Sequence, residues 1–158
     1  MAPVQRGTQA DGALALSSSN VFWSSLGTNG AIYKCPRAGC GGTPKTLATN
    51  QLDPKSIALN GTSVYWTTAD AKIMACTDDC PSGPTTLATE QHGAGSVVFD
   101  ASMIYWANQE AGTIMRCNPS SCDPVAIASG ITSRKRIAVG GNRIYFSTNS
   151  GSIYSVAK

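Results

Sequence analysis

The sequence predicts an all-β fold of repeated four-stranded modules, a β-propeller, and three observations predict it. Six cysteines fall as three close pairs, Cys35 and Cys40, Cys76 and Cys80, Cys117 and Cys122, and each pair begins 41 residues after the one before. Around each pair a degenerate phrase returns, as in SIALNGTSVYWTTADAKIMACTDDCPSGPTTLATEQ and SVVFDASMIYWANQEAGTIMRCNPSSCDPVAIASGI, which marks a repeated supersecondary unit. Within that unit the hydrophobic period is two over short segments, the pattern of half-buried strands and not of helices.

The second repeat shows each element in order. Ser56 to Leu59 is the first strand, closed by an Asn60-Gly61 turn of the kind that joins antiparallel strands. Ser63 to Thr67 is the second, β-branched and aromatic, with Val64 and Trp66 on one face and Tyr65 on the other. A loop through Thr68, Ala69 and Asp70 leads to the third strand, Lys72 to Cys76, and a turn through Asp78, Asp79 and the Pro81 to Pro84 stretch leads to the fourth, Thr85 to Thr89. Four short antiparallel strands per repeat make a propeller blade. The opening APVQRGTQADGALALSSSNVFW matches the later PVAIASGITSRKRIAVGGNRIYF in pattern, so the chain is expected to begin on a fourth strand, Pro3 to Thr8, and to end on a third, Ser152 to Ala157. Four blades are expected, over 11–51, 52–91, 92–131 and 132–158, the last completed by 2–9. Strand donation of this kind removes two sheet edges that invite aggregation. The aromatic residues Trp23, Trp66, Trp106 and Phe146 recur at one blade position and are expected in the core.

With 158 residues, 42% apolar and 13% charged, the chain has the composition of a globular domain. The net charge is +3, and the one basic cluster, Arg134, Lys135 and Arg136, reads as a solvated turn, so no nucleic-acid role is expected. No apolar run has the length of a membrane span. The first sixteen residues lack a secretory apolar core, so no signal peptide is read in this chain. The paired cysteines point instead to a secreted or periplasmic setting.

Phe22-Trp23, Val64-Tyr65-Trp66-Thr67, Ile104-Tyr105-Trp106 and Ile144-Tyr145-Phe146, followed by I-M-x-C and P-T-T-L-A phrases with Leu47-Ala48 and Leu87-Ala88 in outer strands, carry a family likeness. The repeat resembles the YWTD-type and related bacterial propeller repeats over nearly the whole chain. Ser25, Thr68, Asn108 and Thr148 stand where that motif ends in an acid, so the likeness is to the architecture and not to receptor-ectodomain biology. Propellers of this family usually have six or more blades. The resemblance therefore implies either a ring that closes on four or one completed by another copy, with a two-fold homodimer of eight blades the expected form.

Each cysteine pair is separated by three or four residues and brackets a hairpin between third and fourth strands. A local disulfide is favoured over zinc, since zinc normally takes four ligands, the pairs sit on separate blades and no histidine lies near them.

Propellers bind on the rim formed by loops from fourth to first and from second to third strands. Those loops hold the candidate binding residues Gln51, Asp53, Asp70, Gln91, Asn108, Glu110 and Arg134, together with Glu90 and His92, the single histidine. No G-x-S-x-G, H-E-x-x-H or phosphate-binding glycine motif is present. Two functions are weighed: a binding module presenting these loops to a protein, peptide or glycan, and a divalent-metal hydrolase acting on an ester, lactone or phosphotriester. The second comes from likeness to six-bladed hydrolytic propellers and would place calcium or zinc at the channel mouth. Asp53, Glu90 and His92 would be its ligands, with Asp70 and Asn108 as further candidates, and Glu90 and His92 would serve as candidate catalytic groups. Fold analogy by itself does not transfer that activity.

Overall fold

A computed structural model describes residues 11–77, 79–131 and 136–158. The first sheet contains β1 (Leu14–Leu16), β2 (Asn20–Ser25), β3 (Gly30–Pro36) and β4 (Lys45–Gln51). The second contains β5 (Ser56–Asn60), β6 (Ser63–Thr67), β7 (Ile73–Cys76) and β8 (Thr85–Ala88), and the third β9 (Ala94–Asp100), β10 (Met103–Asn108), β11 (Thr113–Cys117) and β12 (Val125–Ala128). The fourth has three strands among the described residues, β13 (Ile137–Gly140), β14 (Arg143–Ser147) and β15 (Ile153–Ala157). Every sheet is an antiparallel meander in chain order. The described residues include no helix, and so none long and apolar enough to cross a membrane. The expected donated strand, Pro3 to Thr8, lies outside the described residues, as does Arg134.

The strands fall within a residue or two of their expected bounds. The hairpin turn of the second sheet sits one residue later than expected: Asn60 pairs with Ser63, leaving Gly61 and Thr62 as the loop. Gly61 and Gly141 take left-handed φ values of 56° and 54° there, and Ala101 holds the same conformation at 54° in the third sheet.

Alternation within the second strand of each sheet builds the core. Phe22, Ile32 and Leu47 face forward onto Ile57, Val64 and Trp66; Tyr65 and Ile73 face onto Val97, Ile104 and Trp106; Tyr105 and Ile114 face onto Ile137, Ile144 and Phe146. Phe22, Tyr65 and Tyr105 thus point to the next sheet, and Trp66, Trp106 and Phe146 to the previous one. The inner strands are also tied to one another. The Val97 amide donates to Ser56 Oγ at 3.0 Å and the Ile137 amide to Ser96 Oγ at 3.2 Å, one repeat apart. Hydroxyls add a second tie, from Ser24 to the Pro54 carbonyl at 2.9 Å and from Thr67 to the Gly95 carbonyl at 2.8 Å.

Among the described residues the first and last sheets each leave one face uncovered. Ile32, Ile73 and Ile114 are 0% exposed, whereas Ile153, at the same place in the last sheet, is 69% exposed. Tyr145 is 42% exposed where Tyr65 and Tyr105 are 5% and 3%. On the leading face Leu14 is 68% exposed, against 9% for its counterpart Ile57.

All six cysteines are paired as expected, Cys35 with Cys40, Cys76 with Cys80 and Cys117 with Cys122, at Cα separations of 5.5, 5.2 and 5.0 Å. Each bridge closes the turn between third and fourth strands and is consistent with an oxidising extracellular compartment. The Cys76–Cys80 turn also carries Asp79, which accepts from Lys34 at 2.7 Å and Lys45 at 3.0 Å, joining the second sheet to the first. These lysine hydrogen bonds, foremost that of Lys34, hold the Asp79 carboxyl below its ordinary value of 3.8. A lowered carboxylate pKa contributes stability above the unfolded value, lost as pH falls through the folded one. Asp79→Asn is therefore expected to lower stability by about 0.5 kcal/mol at neutral pH, as for a half-exposed ion pair. The difference should shrink as pH falls through the lowered folded value; urea titrations of both proteins at neutral and at acid pH check this.

Candidate functional site

The antiparallel meander sends the β2–β3, β6–β7, β10–β11 and β14–β15 loops to the rim opposite the disulfides, where they meet the loops between successive sheets. There they lock in backbone pairs. Gly27 and Asp53 exchange contacts, the Asp53 amide donating to the Gly27 carbonyl at 3.0 Å and the Gly27 amide to Asp53 Oδ1 at 2.6 Å. The Gln91 amide donates to the Ala71 carbonyl at 2.8 Å, the Gln109 amide to Gly93 at 3.0 Å and the Ile131 amide to Gly112 at 3.0 Å. Gly93, with φ 70°, has no room for a side chain, since a Cβ there would lie 2.7 Å from the Glu110 nitrogen. The rim is thus a fixed backbone frame.

Most of the polar candidates are part of that frame. Gln51 is 8% exposed; its Oε1 accepts from Trp66 Nε1 at 3.0 Å while its Nε2 donates to the Thr49 carbonyl at 2.9 Å. Gln91 repeats the arrangement with Trp106 Nε1 at 3.0 Å and the Thr89 carbonyl at 2.7 Å, and its Oε1 also accepts from Asn108 Nδ2 at 2.8 Å. The two glutamines are latches: each sits at the end of one sheet and caps the buried indole of the next. Asp53 is held by Gly27, and Asp70 forms an ion pair with Lys72 at 2.6 Å. Burial pushes the Asp70 carboxyl up, but the Lys72 and Thr68 hydrogen bonds and the Lys72 charge outweigh it and leave the group below its ordinary value.

Glu90, His92 and Glu110 are exposed, as is the lysine-paired Asp70. Glu90 and His92 flank Gln91 on the loop into β9, and Glu110 lies on the β10–β11 loop that packs against it through Gly93 and Gln109. The structure therefore brings these three onto adjoining loops and leaves Asp53 on a different loop pair. Among the described residues no three His, Cys, Asp or Glu side chains are grouped as metal ligands. Asp53, Glu90 and His92 are not gathered as one ligand group among them. The latch was missed in the sequence, although a signal was there: glutamine precedes tryptophan by 15 residues at both Gln51–Trp66 and Gln91–Trp106.

No family model and no curated protein matches the chain. Solved structures do. A chain of the nidogen/laminin complex aligns at a TM-score of 0.70 and 16% identity, covering 90% of this chain and 63% of that one. BamB from Moraxella catarrhalis aligns at 0.71 and 14%, covering 94% and 44%. The computationally designed Ika4 protein aligns at 0.78 and 15%, covering 97% and 94%. The chain thus spans under two thirds of the nidogen/laminin chain and of BamB, and nearly the whole of Ika4. Nidogen and BamB are β-propellers, so the four sheets are β-propeller sheets.

Proposed function

We propose that the chain is a self-assembling β-propeller binding module, two copies of which close one eight-bladed ring and present its loop rim to a protein, peptide or glycan ligand. The observation that carries the binding role is the rim itself: Glu90, His92 and Glu110 stand exposed on two loops whose backbones are hydrogen-bonded together. Fixed loops lower the ordering cost of binding, because little freedom remains to be lost when a ligand docks. Two carboxylates beside one histidine favour a peptide or protein with basic groups over a neutral sugar.

Assembly is supported by the apolar ends, Leu14 and Leu16 at the front and Tyr145 and Ile153 at the back, which complement one another as successive sheets do inside the chain.

Peptide and glycan arrays probed with the full chain test the binding role. A hit among basic peptides is expected, weakened about tenfold by combined Glu90→Lys and Glu110→Lys changes, as for loss of complementary charge. Arg37→Glu on the disulfide rim should leave it unchanged. Silent arrays, or a hit indifferent to the Glu90 and Glu110 reversals, sink the proposal.

A further inference from the structure

On the disulfide rim the four sheets meet at three junctions, and lysine bridges two of them. Between the first and second sheets Lys34 and Lys45 donate to Asp79 at 2.7 and 3.0 Å. Between the third and fourth, Lys158, which follows β15, donates to the Asp100 carboxylate and to the Gly141 carbonyl. Asn60 stands in the second sheet where Asp100 stands in the third: each ends the first strand of its sheet and pairs across the hairpin, with Ser63 and Met103 respectively. Asparagine in that place gives a lysine no charge to meet. Among the described residues no ion pair crosses the middle junction.

An open cleft of about 270 Å³ lies there instead. Asn60, Ser102 of the β9–β10 turn, and Asn118 and Ser120 of the β11–β12 turn line it, with the rings of Tyr65 and Phe99 as its apolar side. Its walls are fixed. Asn118 and Ser120 lie inside the Cys117–Cys122 ring, and the Ser120 amide donates to Asn118 Oδ1 at 3.0 Å. The two aromatic rings stack across the junction, their centroids 5.7 Å apart and their planes 4° from parallel. Tyr65 is 5% exposed, and its hydroxyl, unpaired within the described residues, keeps contact with solvent through the cleft it lines. The repeat also keeps each bridge while changing what the bridge encloses: Arg37 in the first turn, Asp79 in the second, and no charged residue in the third. Variable residues held on a rigid frame are how loops acquire recognition.

The lining selects the ligand. No charged side chain borders the cleft, so an ion finds no partner in it. Its amides supply donors and acceptors, and each of its hydroxyls does both, as the hydroxyls of a sugar do. The aromatic pair offers an apolar wall to the C–H face of a sugar ring. We propose that this cleft is a binding subsite for one unit of a neutral saccharide, which spans the middle junction as lysine spans the other two. It lies on the rim opposite Glu90, His92 and Glu110, and it depends neither on the two-copy ring nor on the basic ligand proposed for that rim.

Chemical-shift titration of the ¹⁵N-labelled full chain tests it, with neutral oligosaccharides of glucose, mannose, galactose and N-acetylglucosamine as probes. At least one of them should shift the side-chain amide signals of Asn60 and Asn118 and the backbone signals of Ser102 and Ser120 saturably, with a Kd of about 1 mM, as for a small ligand held by a few polar contacts. Release at that affinity is fast enough for the sugar to be lost from a washed array, which keeps this result separate from the basic-peptide test. Asn118→Ala should weaken binding about tenfold, the loss expected for one hydrogen bond. Ser102→Trp, on an exposed turn, should abolish it by filling the cleft while the circular dichroism spectrum stays unchanged. Combined Glu90→Lys and Glu110→Lys changes should leave it as it was. No saturable shift with any of the sugars, or shifts that survive Ser102→Trp, overturn the site. Stronger shifts of the same signals with a lysine-rich peptide overturn the neutral ligand, and loss of sugar binding in the Glu90 and Glu110 variant overturns its placement on the disulfide rim.

Discussion

Reduction of the three disulfides is expected to destabilise the protein by about 6 kcal/mol, roughly 2 for each bridge on the loop-closure entropy of a four- or five-residue ring. The bridges lie in separate sheets and share no partner, so their effects should add. That sum is comparable with the whole stability of a typical domain. Thermal unfolding followed by circular dichroism with and without reductant should show the melting temperature fall by more than about 15 °C, or the fold lost at 37 °C. Each bridge fixes a hairpin and not a core contact, so replacing one pair by serine should cost a third of the total and leave the spectrum of the remaining strands intact. Alkylation of the native protein should find no reactive thiol. Six reactive thiols, or a melting point indifferent to reductant, would contradict the bridges.

Gln91→Leu should destabilise the protein by about 2–4 kcal/mol, since the one side-chain oxygen serves two buried donors, Trp106 Nε1 and Asn108 Nδ2, and both lose it together. Gln51→Leu strands a single indole and should cost about half as much. Pairing Gln51→Ile with Trp66→Phe should recover most of that loss, because an apolar pair of matched shape leaves nothing unsatisfied, as Ile131 and Phe146 already show. Chemical denaturation of the four variants measures all of this. Equal losses for the two glutamines, or a double variant no better than its parents, would mean that packing and not the hydrogen bonds decides the junction.

The strand plan was legible because it is written in local chemistry: period-two alternation, a glycine turn after Asn60, prolines ahead of outer strands and cysteines across a hairpin. The disulfides were legible for the same reason, a four- or five-residue separation leaving little choice of partner. The rim was harder. Gln51, Gln91 and Asn108 were expected among its ligand-facing residues, because a long polar side chain at the mouth of a loop ordinarily meets solvent. The two glutamines are turned inward by a buried indole in the next sheet, and Asn108 by Gln91 of the preceding loop, partners that no single repeat contains. Glu90, His92 and Glu110 are exposed as such residues were expected to be, as is the lysine-paired Asp70, and nothing within one repeat distinguishes them from the latches beside them.

The uncovered ends carry a consequence for stoichiometry. The leading face, with Leu14 and Leu16, and the trailing face, with Tyr145 and Ile153, are different surfaces, so in the proposed ring contact between copies would have a direction and join head to tail. A contact of that kind sets no limit on its own growth; the angular wedge subtended by each sheet decides whether copies return to the starting point or run on as a filament. How many chains make up one particle is then a property of curvature and not of adhesive strength.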